Sequence, residues 1–375
     1  MRPQSPPEYP DDPVAEPLHK GRGALSNESS RFDGERRIRT TDGWEAPPPA
    51  EPSEDDELPP LRTTLTRDAT RTTIARNNSP DIGFDRSINP YRGCEHGCVY
   101  CFARPTHAFL GLSPGLDFET RLLAKPEAAK LLRAELARPG YRPAMIAMGT
   151  NTDPYQPTEK RLRITRSILE VLAEARHPVS ITTKSALVAR DLDILGPMAA
   201  QGLASVAVSV TSLDADIART LEPRAARPAV RLETIAACAA AGVPTAVMVA
   251  PVIPALTDHE MEAILAAARE VGARRAGWIL LRLALEVRGL FEEWLGAHAP
   301  DRKARVLARL RAMRSGAVYQ SDFGIRMTGS GPDAALLGKR FAMACRRLGY
   351  ESGAWRVETG LFRPPAADTR QLSLL

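Results

Sequence analysis

The sequence predicts an α/β protein in which repeated βα units surround a parallel sheet. From about Arg62, apolar runs rich in Val, Ile and Met recur along the chain, and each is followed by an Ala-, Leu-, Arg- and Glu-rich stretch at helical spacing. The polar residues suited to chemistry fall just after the apolar runs, where α/β enzymes carry their sites. A first strand is expected to end near Asn89, and further strands to cover 144–148, 179–183, 205–210, 245–253 and 277–283. The intervening helices are expected over 126–138, 162–175, 189–200, 229–241 and 258–271, with another near Leu290. Pro126 stands at the first turn of its helix, a position where its missing N–H costs nothing.

The chain has 375 residues, of which 43% are hydrophobic, 25% charged and 5% aromatic. That composition excludes collagen, coiled-coil rods and membrane-spanning bundles. No apolar run reaches the roughly 18 residues of a membrane span and the N-terminus lacks a signal-peptide core, so a cytoplasmic protein with no membrane partner is expected. Five cysteines in this length exclude a disulfide scaffold.

The net charge of +5 divides unevenly. Residues 1–60 hold 14 acidic and 7 basic side chains with 12 of the 32 prolines, which leaves +12 for residues 61–375. Proline clusters and acidic runs such as Glu54-Asp55-Asp56-Glu57 offer too little apolar surface to offset ordering entropy, so 1–60 is expected to be a disordered tail. Within it, residues 21–27 (Gly-Arg-Gly-Ala-Leu-Ser-Asn) form a basic island that either docks on the body or on a phosphate backbone, or stays a solvated linker. The expected organisation is this tail, a core over 61–285, a basic and mostly helical extension over 286–365, and a flexible tail over 366–375.

Cys94-Glu95-His96-Gly97-Cys98-Val99-Tyr100-Cys101 places three of the five cysteines within eight residues. Thiolates so close call for a shared ligand. Zinc normally takes a fourth ligand, and His96 lies inside the short loop where it does not readily close a tetrahedron. A cubane iron-sulfur cluster is held by three thiolates with one iron left for a non-protein ligand. The cluster is favoured, with structural zinc and free thiols as the alternatives; Cys238 and Cys345 read as core residues of helices.

The Cys-x3-Cys-x2-Cys spacing, with Tyr100 before the third cysteine, on alternating strands and helices resembles the radical S-adenosylmethionine (SAM) enzymes. The run from Asp85 to Cys94 is similar to a bacterial branch beside spore photoproduct lyase. The resemblance implies a partial (β/α)6 TIM-like barrel and a [4Fe-4S] cluster on Cys94, Cys98 and Cys101. It further implies that the cluster's open iron chelates SAM, and that an external flavodoxin- or ferredoxin-type donor reduces the cluster.

Further polar groups at expected strand ends are candidates to hold SAM. Asn151, Thr152 and Asp153 follow the second strand and suit the SAM ammonium; Lys184 follows the third and reaches a carboxylate or a ribose hydroxyl. Ser209 and Thr211 end the fourth strand, and Glu222 with Arg224 either binds ribose hydroxyls or forms a pair. Tyr100 and Phe102 flank the third cysteine, and residues 250–254 offer carbonyls and apolar surface for adenine. The family branch carries a hydrogen-donating cysteine where this chain has Thr150, and a tyrosine where it has Phe102. Generic radical chemistry is therefore better supported than the lyase reaction.

Residues 302–314 form a cationic amphipathic stretch, and Lys339-Arg340 with Arg346-Arg347 adds a second. Such clusters suit phosphate contacts, which makes DNA a candidate partner, although solvated helix faces explain them equally. The terminal Gln371-Leu372-Ser373-Leu374-Leu375 is similar to the peptides that bind the bacterial sliding clamp. The expected function is SAM cleavage to a 5'-deoxyadenosyl radical acting on a nucleic-acid lesion or modification site. RNA or protein is the alternative target, and a non-enzymatic nucleic-acid-binding protein with a structural metal is the rival reading.

Overall fold

The computed structural model describes residues 19–33, 61–353, 355 and 357–365. The chain runs through β1 (Thr64–Arg67), β2 (Ile74–Arg76), β3 (Arg86–Ile88) and β4 (Tyr91–Arg92) into the cysteine loop, then α1 (Leu116–Thr120), β5 (Arg121–Ala124) and α2 (Ala128–Leu136). Next come β6 (Ile146–Met148), α3 (Glu159–Leu162), α4 (Ile164–Glu174), β7 (Val179–Thr183), α5 (Leu192–Ala200) and β8 (Ala204–Ser209). Then follow α6 (Ala215–Leu221), α7 (Pro228–Ala240), β9 (Thr245–Val252), α8 (Met261–Glu270) and β10 (Arg275–Leu280). The described chain closes with α9 (Val287–His298), α10 (Pro300–Ala312) and α11 (Gly331–Leu348).

Seven strands form one sheet in the order β10-β9-β8-β7-β6-β3-β2. From β3 to β10 every neighbour is parallel, and only β2 runs antiparallel, against β3. Six parallel strands in chain order, each reached through a helical crossover, are compatible with the expected (β/α)6 arrangement opened along one seam. The parallel strands are covered by helices, which is why they read as unbroken apolar runs. In α4 the residues Ile164, Ile168, Leu169 and Leu172 recur at helical spacing and all are buried.

The structure departs from the expected elements in three places. The helix expected over 162–175 is broken at Arg163, whose φ of 54° separates α3 from α4. A three-stranded sheet in the order β1-β5-β4 was not signalled, because its strands are two to four residues long. The extension over 286–365 is helical but not separate. Leu290, Phe291, Trp294, Val306 and Leu310 share one apolar cluster with Val99 and Tyr100 of the cysteine loop and with Leu281 and Leu283 beyond β10.

That extension also finishes the sheet. The Leu280 N–H donates to Met327 O at 2.8 Å, and the Glu351 N–H donates to Arg274 O at 2.9 Å, so both ends of the outer side of β10 are hydrogen-bonded. The opposite edge is β2, three residues long, with Arg76 exposed.

Residues 19–33 pack on the body, which is one of the readings the basic island left open. The Arg22 guanidinium donates to Glu119 O at 2.9 Å, and the Gly23 and Ala24 amides donate to the Glu119 carboxylate at 3.0 and 2.8 Å. Ala24 is buried, and Ser26, Asn27 and Glu28 bond the segment 113–117. The remainder of the acidic tail lies outside the described residues. A Cβ at Gly23 would stand 1.7 Å from Gly97 O inside the cysteine loop. Gly23→Ala is therefore expected to lift this strap off the loop; limited proteolysis should cut within 19–33 in the variant and spare the parent.

Candidate functional site

The cysteine loop leaves β4 and is fixed at both ends by backbone bonds. The Cys94 N–H donates to Phe118 O at 2.9 Å and the Val99 N–H to Leu221 O at 3.1 Å. Gln156 clasps the start of the loop, accepting from the Glu95 N–H at 2.9 Å and donating to Gly93 O at 3.2 Å. Gly97 takes φ 68°, a left-handed turn that a side chain would strain.

Arg104, fully buried, sits behind this loop and organises it. Its guanidinium donates to Cys98 O at 2.9 Å, Gly97 O at 3.3 Å, and Pro114 O and Gly115 O at 3.0 and 2.9 Å. The same group pairs with Glu119, also fully buried. The sequence reading did not single out this pair. Two charged residues in an otherwise apolar neighbourhood were the only signal.

The three thiols are held in an environment that disfavours a bare thiolate. Burial, then the charges of Asp153 and Cys98, pushes the Cys94 thiol well above its usual range. Burial, then the Glu222 carboxylate, pushes Cys98 up to about 12 against the pull of Lys184. Burial also raises Cys101. Three thiols within one another's electrostatic reach, each needing a positive partner to ionise, fit a shared iron-sulfur cluster. Among the described residues, no three His, Cys, Asp or Glu side chains converge as the ligands of a single metal ion would. A cubane spreads its ligand sulfurs over several irons and does not ask for that convergence.

Two buried carboxylates flank the loop. Asp153 accepts from Thr183 Oγ1 at 2.7 Å, the Lys184 N–H at 2.8 Å and the Tyr155 N–H at 2.8 Å, and lies 3.4 Å from His96 Nδ1. Burial opposes its charge, but His96 and these donors outweigh that and hold Asp153 below the usual carboxylate range. Asn89, which ends β3, accepts from the Asn151 and Thr152 amides at 3.0 and 3.3 Å, and the Thr152 hydroxyl donates to Tyr91 O at 3.1 Å. The Asn151 side chain itself has no hydrogen-bond partner among the described residues.

Glu222 is the second carboxylate. It accepts from the Tyr100 hydroxyl, from Arg231 and from Thr211 Oγ1, the last at 2.7 Å, while Lys184 Nζ lies 4.0 Å away. Burial opposes ionisation, and Arg231, Lys184, Tyr100 and Thr211 overcome it, so the carboxyl is lowered to about 2. Lys184 Nζ also stands 5.8 Å from the centroid of the Tyr100 ring. Glu222 and Arg224, expected to act together, do not pair; Arg224 lies 3.4 Å from Glu95 instead. Arg231 was missed by the sequence reading, and its signal was a single cation on the buried face of α7.

Of the remaining candidates, Ser209 is buried at the end of β8 with its carbonyl accepting from Arg231 at 3.0 Å. The Thr211 hydroxyl also reaches Ala250 O at 3.1 Å in the strand expected to face adenine. Thr150 Oγ1 lies 3.3 Å from the Asn89 amide. Phe102 is 47% exposed, and Arg282 lies over its ring at 5.1 Å.

Because Glu222 is lowered from the usual carboxylate range to about 2, its contribution to folding is complete above that range and is lost as pH falls toward 2. Apo-protein melting followed from pH 5 to pH 2.5 is expected to show a falling midpoint, and Glu222→Gln should start lower and lose less over the same interval. Arg231→Leu strands the buried carboxylate and is expected to cost about 3–5 kcal/mol in chemical denaturation.

Residues 88–268 match the radical SAM superfamily. The protein is 41% identical over 230 residues to the uncharacterised protein Rv2578c of Mycobacterium tuberculosis, covering 61% of this chain and 68% of that one. It is 26% identical over 173 residues to the uncharacterised protein MJ0683 of Methanocaldococcus jannaschii, covering 46% and 62%. Its fold is similar to that of a spore photoproduct lyase mutant with bound AdoMet and dinucleoside spore photoproduct, with a TM-score of 0.54, 14% identity, and 76% and 80% of the two chains covered. With strands, loop and relatives in agreement, the chain belongs to the radical SAM superfamily, whose enzymes use a [4Fe-4S] cluster and S-adenosylmethionine.

Proposed function

We propose that Cys94, Cys98 and Cys101 ligate the [4Fe-4S] cluster and that the protein cleaves SAM to act on a nucleic-acid lesion or modification site. The observation that carries the reading is the set of three closely spaced cysteines on one loop, Cys94 buried and Cys98 and Cys101 half-buried, with each thiol raised by burial. Held by these three cysteines, a reduced cluster would supply the electron for reductive cleavage of SAM.

The chain's own residues then divide by whether their hydrogen bonds are already engaged. Asp153, Thr152, Thr211 and Glu222 are held by protein partners, and Arg224 pairs with Glu95. These residues shape the site rather than touch SAM. Asn151, Lys184 and Ser209 retain capacity among the described residues: an amide and a hydroxyl with no side-chain hydrogen bond there, and an ammonium 4.0 Å from the Glu222 carboxylate. Lys184 is suited to the SAM carboxylate or a ribose hydroxyl, and Asn151 and Ser209 to its polar edges. Tyr100 presents its ring toward Lys184 while Glu222 holds its hydroxyl, which fixes the third cysteine's neighbour in place.

The nucleic-acid target is supported by exposed cations on α10 and α11. Arg302, Arg305 and Arg311 have no acidic partner among the described residues, although Arg309 pairs with Asp333 and Arg340 with Glu262. The fold similarity to spore photoproduct lyase points the same way. Thr150 brings no thiol to the second strand end, and Cys238 and Cys345 lie in α7 and α11, so a lyase-type cysteine donor is not part of this reading. A flavodoxin- or ferredoxin-type protein is the expected reductant. The clamp-like peptide 371–375 lies outside the described residues.

Anaerobic reconstitution with iron and sulfide, followed by reductant and SAM, is expected to yield 5'-deoxyadenosine by mass spectrometry, and Cys98→Ala should abolish it together with the cluster's absorbance. Lys184→Met should keep the cluster and lower SAM cleavage roughly tenfold, about 1.4 kcal/mol of lost stabilisation. A cluster-loaded protein that leaves SAM intact overturns the reading. Deuterium carried from a labelled oligonucleotide into 5'-deoxyadenosine identifies the target class; label transferred only from a protein would move the target there.

A further inference from the structure

The arginines around the cysteine loop differ in what they face, and Arg282 among them is only half-buried. Arg104 and Arg231 each face a buried carboxylate. Arg282, just past β10, and Arg314, just past α10, pair with no acid among the described residues. Arg314 is fully buried; it donates to Leu281 O at 2.8 Å and to Arg326 O at 3.3 Å, and its Nε has no partner. The Nε of Arg282 is likewise buried and unpartnered, and its Nη1 reaches only Met327 Sδ at 3.7 Å. Burial, and next the positive charge of Arg282, push the Arg314 guanidinium down to about 10.

Two adjacent cations with no counter-ion among the described residues are unfavourable for the fold alone, because Arg314 is desolvated with only carbonyl partners and the two charges repel each other. A ligand that brings negative charge removes both costs. The location fits a ligand of the radical site, since Arg282 lies over the Phe102 ring and Phe102 directly follows Cys101. The surface outside the pair is cationic as well: the exposed Arg302, Arg305 and Arg311 lie along α10, the helix that leads to Arg314. A single small carboxylate has no use for that track, whereas a polyanion with evenly spaced charges does. The guanidinium fork also matches the oxygens of a phosphate.

We infer that Arg282, with the charge of the buried Arg314 behind it, forms an anion seat beside Phe102 that takes a backbone phosphodiester of the substrate strand. This rests on the nucleic-acid reading above and adds to it the point at which the strand is held relative to the cysteine loop. Arg302, Arg305 and Arg311 attract the polyanion, and the half-buried Arg282 fixes one phosphate.

The test is fluorescence anisotropy of the reconstituted full chain with a fluorescein-labelled single-stranded oligodeoxynucleotide over a salt series, with unlabelled polyglutamate as competitor. Arg282→Met is expected to weaken binding about tenfold and to reduce the slope of log affinity against log salt by about one. Iron content and melting midpoint report that the variant is folded. Should Arg282→Met fail to load iron, Arg282→Lys decides instead: it keeps the charge, loses the fork, and is expected to weaken binding with an unchanged salt slope. If the parent binds the oligonucleotide and a folded variant binds it equally well with the same slope, the anion seat is refuted and the nucleic-acid reading stands. A parent that does not bind the oligonucleotide refutes that reading and this inference with it. Polyglutamate displacing the oligonucleotide at equal charge concentration refutes the phosphodiester assignment.

Discussion

Arg104 and Glu119 face each other with no exposure to solvent, and neither would be tolerated there alone. Their mutual attraction offsets the cost of burying two charges only because their other hydrogen-bonding positions are also filled. Arg104 fills its own with carbonyls of Gly97, Cys98, Pro114 and Gly115; Glu119 fills its own with the amides of Gly23 and Ala24. The cysteine loop, the segment leading into α1 and the N-terminal strap are thus three pieces of backbone arranged around one ion pair. A loop of eight residues with three thiols has little internal reason to keep one shape. Here its shape is imposed from behind, by charges that require the backbone to be where it is.

The site in front of the loop is built on a similar principle with a different outcome. Glu222 gathers Tyr100, Thr211 and Arg231, and Asp153 gathers His96, Thr183 and the Lys184 amide. Each buried carboxylate ties residues from separate strand ends into a rigid frame, as preorganised sites require. What keeps capacity inside that frame among the described residues, the side chains of Asn151 and Ser209 and the loosely paired Lys184, is then presented in fixed positions at low entropic cost. The residues most polar in type are therefore the least available to a ligand.

The parallel strands were legible because a strand buried on both faces leaves an apolar run, and β7 is bounded by the same residues that the run suggests. The cysteine loop was legible because three thiols in eight residues have few chemical uses. The small sheet was not, since strands of two to four residues carry no periodicity. The docking of residues 19–33 was visible only as an unresolved alternative: a basic island in an acidic, proline-rich stretch says nothing about Glu119, which lies about a hundred residues away. The same limit applied to the site. Residue type marked Asp153 and Glu222 as polar groups at strand ends, but whether a carboxylate faces a ligand or an arginine depends on Arg231 and His96, whose approach is set by helix packing and loop geometry.

A parallel sheet that does not close on itself leaves two strands with unpaired backbone groups, and such edges invite the strand of another molecule. The lower-numbered edge ends in a three-residue antiparallel strand bearing an exposed arginine, too short and too charged to serve as a template. At the other edge, Met327 and Glu351 cap the outer side of β10. The segments around the C-terminal helices thereby do for this open sheet what circular closure does for a barrel: they keep its edge from recruiting neighbours. A chain shortened to the βα units alone would keep Cys94, Cys98, Cys101 and every candidate SAM contact, yet expose a ready surface for self-association.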